Sequence, residues 1–154
     1  MKKLLVTTFL SVTLISCSNE QVSMEEGSCF SNGTSTYQWT MVTTWPKNFP
    51  GLGLAPENFS KYIEEMTCGR MKIKVYGAGE FVPAMGVFDA VSQGNVQLGH
   101  GASYYWTGKV KSSQFFTAVP FGLTAQEMNG WLHYGGGLEL WQEAYEPFNL
   151  IPLA

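Results

Sequence analysis

Residues 71–101, "MKIKVYGAGEFVPAMGVFDAVSQGNVQLGHG", decide the fold class. In the opening "MKIKVY", the apolar residues Met71, Ile73 and Val75 alternate with two lysines. Successive side chains of a strand point to opposite faces, so this alternation predicts a strand with one solvated face. The stretch therefore starts as a strand and enters the glycine-rich loop "GAGE".

The rest of the stretch predicts a helix and a second strand. Val87, Phe88 and Val91 lie at neighbouring helical positions, and a Gly-Asn turn then leads to a short strand from Val96. Upstream, the aromatic and β-branched run "YQWTMV" at residues 37–42 predicts another strand. With a helix between the first two strands, the alternation builds a parallel sheet with crossover helices, so the predicted class is α/β.

The helix between the first two strands is predicted from four apolar residues at helical spacing, in a segment from near Pro56 to just before Gly69. They are Phe59, Tyr62, Ile63 and Met66. We expect this stripe to face the core. Near the C-terminus, "TAQE" at residues 124–127 predicts a capping box and a helix to about Tyr134. "GGG" ends that helix, "LELWQEAY" starts another, and "EPFNLIPLA" predicts a turn into a strand that stops at the last residue.

The N-terminus has the pattern of an export leader. Two lysines precede an apolar run too short to span a bilayer, which predicts a signal peptide over residues 1–16. The run ends in "LISC", which resembles the lipobox of bacterial lipoproteins and makes Cys17 the expected lipidation site. The alternative is an ordinary secretory signal in which Cys17 has no role. Residues 17–36 are polar and glycine-rich, which predicts a flexible tether, and residues 37–154 form the predicted domain.

Composition excludes several classes of function. A hydrophobic content of 45% indicates a globular body, and a net charge of −3 gives no electrostatic case for nucleic acid. Cys29 and Cys68 could pair in an exported chain, but they imply no compact disulfide framework. His100 and His133 lack metal-ligand spacing, so we expect both to be structural and no metal or cofactor to be held by this chain. The sequence also lacks phosphate-binding glycine motifs and a nucleophile elbow, which argues against an enzyme.

Aromatic residues follow each predicted strand. The loop "TTWPKNFPGLG" carries Trp45 and Phe49, the next loop carries Phe81, and "SYYW" at residues 103–106 places three aromatic rings in succession. Ligands of open parallel sheets bind beyond the carboxyl ends of the strands, so these loops are expected to share one edge and to line a pocket there. Packing against neighbouring helices is the alternative, and it is at least as good for Phe81 and Trp106 as ligand contact.

From about residue 37 onward, the sequence resembles the extracytoplasmic solute receptors of tripartite ATP-independent periplasmic (TRAP) transporters, in the branch that binds 2-oxo acids and related carboxylates. The resemblance rests on "WTMVTTWPKNFPGLG", on residues 71–109 and on "FFTAVPFGLTAQEMNGWLHYGGGLELW". It implies two α/β lobes that close on a carboxylate, of which this chain is the N-terminal lobe. The implied partners are a small organic carboxylate, the TRAP membrane subunits and, through a lipid anchor, the membrane.

The resemblance also implies roles for particular residues. Trp45, Tyr104 and Tyr105 occupy N-lobe cleft positions, and Phe121 in "VPFG" lies where the chain approaches the hinge. The family's carboxylate-binding arginine and the side chains that hold a cation beside the substrate belong to the second lobe, before which this chain ends. Its only arginine, Arg70, is expected at the surface.

The sequence thus predicts the solute-binding component of a TRAP transporter, in a truncated form and without enzymatic activity. Two alternatives stay open: a stand-alone exported interaction or sensor module, and a non-functional fragment. An exported hydrolase would need a nucleophile and a base in one cleft, and the sequence offers neither.

Overall fold

The structure is a computed structural model, and it describes residues 36–154. The predicted signal peptide, Cys17, Cys29 and all but the last residue of the predicted tether lie outside the described residues. Within the described part, no helix has the length and apolarity needed to cross a bilayer. Cys68 is disulfide-bonded.

Within the described residues, a parallel three-stranded sheet organises the domain. The strands are β1 (Tyr37–Thr43), β2 (Met71–Tyr76) and β3 (Leu98–His100), in the spatial order β2-β1-β3. Tyr37 pairs with Met71 in one ladder, and Thr43 pairs with His100 in the other. Both ladders are parallel, so the carboxyl ends of all three strands lie at the same edge of the sheet. The predicted α/β class is confirmed.

Residues 36–154 contain four α-helices: α1 (Leu54–Met66), α2 (Val87–Ser92), α3 (Ala125–Tyr134) and α4 (Gly137–Tyr145). The predicted capping box starts α3, where Thr124 Oγ1 accepts from the Glu127 N–H and the Glu127 carboxylate accepts from the Thr124 N–H. Short 3-10 turns cover Ala84–Gly86, Ser103–Trp106, Lys111–Phe116 and Glu146–Phe148.

The main core lies between β1, α2, α4 and the turn after β3. Val42, Val87 and Val96 are at most 2% exposed, and the Phe88 ring packs on Trp106 at 5.6 Å and on Tyr145 at 5.7 Å between centroids. Burial of such large apolar side chains is the dominant favourable term in folding. Because Trp106 belongs to this core, the core fixes the turn that follows β3.

The apolar stripe of α1 does not face the core, contrary to the sequence prediction. Phe59, Tyr62 and Met66 are 41%, 58% and 80% exposed, and of the residues in this helix only Pro56 is buried. Helical spacing shows which side chains share a face, but burial of that face depends on what packs against it. Ile63, the fourth residue of the stripe, is half-buried. Among the described residues, polar contacts join α1 to β2: Ser60 donates to the Ile73 carbonyl at 2.5 Å.

The strand predicted in "FNLIPLA" is also wrong for the described structure. After the 3-10 turn Glu146–Phe148, residues 149–154 form no regular element and pair with no strand of the described sheet. An extended apolar segment becomes a strand only when a neighbouring strand accepts its hydrogen bonds. Here the Leu150 N–H donates instead to the Tyr145 carbonyl at 3.4 Å.

Candidate functional site

The loops after the three strands meet at the carboxyl edge of the sheet. The loop from Thr44 to Gly53 follows β1, the loop from Gly77 to Pro83 follows β2, and the segment from Gly101 to Trp106 follows β3. These are the loops in which the sequence placed the aromatic residues. The three loops therefore lie at one edge of the sheet, as predicted.

Hydrogen bonds on both sides of Trp45 fix the first of these loops. The Trp45 N–H donates to Thr43 Oγ1 at 3.1 Å, and the Trp45 carbonyl accepts from the Ala78 N–H at 3.0 Å. Farther along, Gly53 lies so close to the backbone that a Cβ there would be 2.5 Å from the Phe49 nitrogen. Only glycine fits this approach, so the loop has a defined shape despite its lack of regular structure.

Side-chain contacts tie the first loop to the second. Lys47 Nζ lies 3.1 Å from Glu80 Oε2, which also accepts from the Gly77 N–H at 2.8 Å. A Cβ on Gly77 would lie 2.9 Å from the Lys47 nitrogen, so the two backbones touch here. The Gly77 hydrogen bond, and to a lesser degree the lysine, holds the pKa of the Glu80 carboxyl below its usual value.

The third loop presents two tyrosines. Ser103–Trp106 forms a 3-10 turn in which Ser103 and Trp106 are buried, whereas Tyr104 is 42% exposed and Tyr105 is partly exposed. For Trp106, the sequence analysis left open packing in the protein as the alternative to ligand contact, and the structure shows the packing. The two tyrosine rings meet edge to face at 4.7 Å, and the Tyr105 hydroxyl beside Tyr104 raises the pKa of the Tyr104 phenol. Tyr104 therefore stays protonated at neutral pH, and the hydroxyl groups of both tyrosines are hydrogen-bond donors.

Three rings from two different loops and one strand form a cluster, which we call the edge cluster: Trp45, His100 and Tyr105. The Trp45 ring centroid lies 4.9 Å from that of His100 and 6.0 Å from that of Tyr105. Such spacings are within the range of favourable aromatic contacts. The structure thus brings together Trp45 and Tyr105, two of the residues predicted from the sequence.

Sequence reasoning missed His100 as a member of this cluster. His100 is the last residue of β3, and its Nδ1 lies 3.2 Å from Thr43 Oγ1 on the adjacent strand. Partial burial lowers the pKa of His100 from its usual value, so the imidazole is neutral at neutral pH. Its position at the carboxyl end of a strand of the parallel sheet was the available signal, because ligand sites form beyond such strand ends.

Phe81 and Phe121 lie apart from the edge cluster. The Phe81 ring packs on Tyr76 at 5.1 Å and is 52% exposed. Phe121 is wholly exposed in the turn closed by the hydrogen bond from the Gly122 N–H to the Val119 carbonyl, and its φ is +59°. Neither ring contacts Trp45 or Tyr105 in the described structure, so their assignment to the site remains a prediction.

The edge cluster offers neutral hydrogen-bond donors and apolar walls, without a cation of its own. Arg70 directly precedes β2, which places it at the opposite edge of the sheet, roughly 20 Å away by strand geometry. It is exposed, as predicted. Lys47, on the first loop, is already paired with Glu80. Among residues 36–154, no group of three or more His, Cys, Asp or Glu side chains could hold a metal ion.

A separate cavity of about 460 Å³ lies beside β3, between α2, α4 and residues 149–153. Its walls include Val87, Phe88, Leu98 and Trp141, and its lining contains no charged side chain. A carboxylate placed there would lose its hydration without gaining a charged partner, which is strongly unfavourable. The cavity is therefore no carboxylate site in the described structure.

Comparison with known proteins identifies the family. Residues 41–154 match the model of DctP, the bacterial extracellular solute-binding protein, family 7. A monocarboxylate 2-oxoacid-binding periplasmic protein of Nostoc sp. is 42% identical over 141 residues, which are 92% of this chain and 37% of that protein.

Solved structures agree with the family match. A TRAP periplasmic solute-binding protein from Pseudoalteromonas atlantica, with bound sodium and pyruvate, is 44% identical and superposes with a TM-score of 0.74 over 76% of this chain and 36% of its own. One from Colwellia psychrerythraea, with bound calcium and pyruvate, is 42% identical with the same TM-score and the same coverage.

This chain spans little more than a third of the length of these relatives. Within that span, both the sequence match and the backbone superposition are extensive. The resemblance to TRAP solute receptors is confirmed, and the chain belongs to the DctP family of bacterial extracellular solute-binding proteins.

Proposed function

We propose that this chain is the N-terminal lobe of a TRAP solute receptor that captures a 2-oxo acid or a similar organic carboxylate in the periplasm and delivers it to the TRAP membrane subunits. The observation that carries the proposal is the edge cluster, a set of rings and neutral donors at the carboxyl edge of a lobe that superposes on pyruvate-bound receptors. In this proposal, Trp45, Tyr104 and Tyr105 contact the ligand, with Phe81 and Phe121 at the margins.

The charge distribution supports a division of roles between two lobes. A buried carboxylate needs a cationic partner, and neutral hydroxyl donors alone bind it weakly. Since the described residues supply aromatic rings and neutral donors at this edge, we propose that the arginine and the cation site belong to a second lobe outside this chain. The sodium and calcium in the related structures fit this division.

Export and anchoring form the second part of the proposal. Residues 1–16 would be removed as a signal peptide, Cys17 would carry lipid, and residues 17–36 would tether the lobe, residues 37–154. The disulfide of Cys68 supports an oxidising compartment outside the cytosol. Mass spectrometry of the mature N-terminus tests the anchor: we expect a lipid-modified Cys17, and an unmodified N-terminal residue elsewhere would reject it.

Calorimetric titration of the natural full-length protein tests ligand capture. We expect pyruvate and longer 2-oxo acids to bind, and the uncharged amide of pyruvate to bind far more weakly, because the amide keeps the shape of the acid but lacks its charge. Failure of every carboxylate to bind would reject the proposed function. Equal binding of acid and amide would reject charge recognition.

A further inference from the structure

We propose that His100 is a ligand-binding residue whose Nε2–H donates a hydrogen bond to an oxygen of the bound carboxylate. The inference rests on the proposed function and adds to it a residue that neither the sequence patterns nor the family match assigns. It replaces the purely structural role expected for this histidine.

The first argument is position. His100 ends β3 at the carboxyl edge of the sheet, and its ring lies 4.9 Å from that of Trp45, the central residue of the edge cluster. The side chain is partly exposed, so a ligand that contacts Trp45 can also reach the imidazole. His133, by comparison, is an exposed residue of α3, and its ring lies beside that of Tyr134, at 6.4 Å between centroids.

The second argument concerns the hydrogen bonds of Thr43, which determine the tautomer of His100. Thr43 is 2% exposed, and its Oγ1 accepts from the Trp45 N–H at 3.1 Å. The Thr43 hydroxyl proton also needs an acceptor, since a buried donor left unpaired is costly. Within the described residues, His100 Nδ1 at 3.2 Å is the acceptor that the hydroxyl reaches.

If Nδ1 of His100 accepts, the proton of the neutral imidazole must be on Nε2. The opposite tautomer would donate from Nδ1 to Thr43 and leave the hydroxyl proton without an acceptor among the described residues. The arrangement therefore turns an N–H donor away from Thr43. Nε2 itself makes no hydrogen bond within residues 36–154, so it is available to a ligand.

The third argument is the protonation state. Burial lowers the pKa of His100, which keeps the ring neutral and its Nδ1 lone pair free to accept from Thr43. In the proposed receptor, the second lobe supplies the positive charge that balances the carboxylate. A neutral N–H donor in this lobe can therefore orient the carboxylate without adding another cation to the site. Together with the tyrosines, His100 would fix the orientation of the carboxylate.

Substitutions in the natural full-length protein test the donor role. The probe is pyruvate, and affinity and melting temperature are both measured. His100→Phe keeps a ring beside Trp45 but removes the donor, and we expect it to weaken binding roughly tenfold to a hundredfold, since the hydrogen bond reaches a charged acceptor. His100→Gln, whose amide N–H can take the place of Nε2–H, should recover most of the affinity. His133→Gln is the matched control and should bind like the parent.

Three results would overturn the proposal. The first is parent-like affinity in His100→Phe. The second is equally weak binding by His100→Gln and His100→Phe when both variants melt like the parent. The third is an NMR spectrum of the ring nitrogens that places the proton on Nδ1. The last measurement needs neither ligand nor variant. A parent protein that binds no carboxylate would instead reject the proposed function, and the ligand contact with it.

Discussion

Lys47 Nζ lies 3.1 Å from Glu80 Oε2 and joins the loop after β1 to the loop after β2. The same Glu80 oxygen accepts from the Gly77 N–H, within its own loop. Trp45 lies two residues before this lysine, and its carbonyl accepts from the Ala78 N–H of the second loop. The two loops therefore hold each other, and Trp45, in place.

We first predict that Glu80→Gln destabilises the fold at neutral pH by weakening the contact between the loops after β1 and β2. The folded-state pKa of Glu80 lies below its usual value, so the carboxylate stabilises the fold above the unfolded pKa, and this contribution is lost as the pH falls through the folded pKa. Thermal melts should show a lower melting temperature for Glu80→Gln near neutrality and convergence with the parent in acid. A gap that persists at low pH would show that the carboxylate charge is not the cause.

Our second prediction is that alanine substitution changes the stability in opposite directions at two glycines. Gly53→Ala would place a Cβ against the backbone of Pro46 and Phe49, so the loop must shift, and we expect a loss of about 1–3 kcal/mol. Gly130 lies inside α3 with open space around it, so Gly130→Ala should stabilise by about 0.5–1 kcal/mol. Denaturant melts measure both changes. If both variants lost stability alike, the close approach at Gly53 would not be the reason.

The sheet and most helices could be predicted because their patterns are local. The alternation in β2, the capping box at Thr124 and the glycines before α4 depend on neighbours within a few residues. Burial of α1 could not be predicted this way, because the spacing of Tyr62 and Met66 contains no information about what packs on them. The strand predicted after Phe148 was wrong for the same reason, since a strand forms only where a neighbouring strand pairs with it.

The candidate site was predictable in part. Parallel strands bring their following loops to one edge, which is enough to bring Trp45 near Tyr105. The role of His100 depends on the register that places it beside Thr43, 57 residues earlier in the chain. No local pattern marks such a pair, because a histidine at the end of a short strand has no distinguishing spacing.

Our third prediction concerns the tyrosine hydroxyls. If one of them donates to the carboxylate of the ligand, Tyr→Phe at that position should cost about 1.5–3 kcal/mol of affinity, the net value of a hydrogen bond to a charged group, and leave the fold intact. Calorimetry of Tyr104→Phe and Tyr105→Phe in the full-length protein measures this loss, and Tyr134→Phe is the control because Tyr134 is 94% exposed on α3. Parent-like binding by both variants would end the hydroxyl role.

Trp45 gives the fourth prediction. Its ring is only partly buried and contacts the other members of the edge cluster, so Trp45→Ala should weaken ligand binding more than it lowers the melting temperature. Trp39→Ala is a matched control on β1, because that ring is 38% exposed and lies away from the carboxyl edge. A large stability loss with unchanged affinity would make Trp45 a packing residue.

The last prediction is a pH dependence of stability carried by His100. Its folded-state pKa lies below the usual value of 6.5 because burial disfavours the charged ring. The unfolded chain therefore binds the proton more readily, and the stabilising contribution is complete above pH 6.5 and declines as the pH falls toward the folded pKa. His100→Gln cannot titrate, so its melting temperature should depend less on pH across this window than that of the parent. His133→Gln should retain the dependence assigned to His100. If the melting temperature of His100→Gln depended on pH as that of the parent does, burial would not lower the pKa of the imidazole. The argument that burial keeps this ring in its neutral form would then fail.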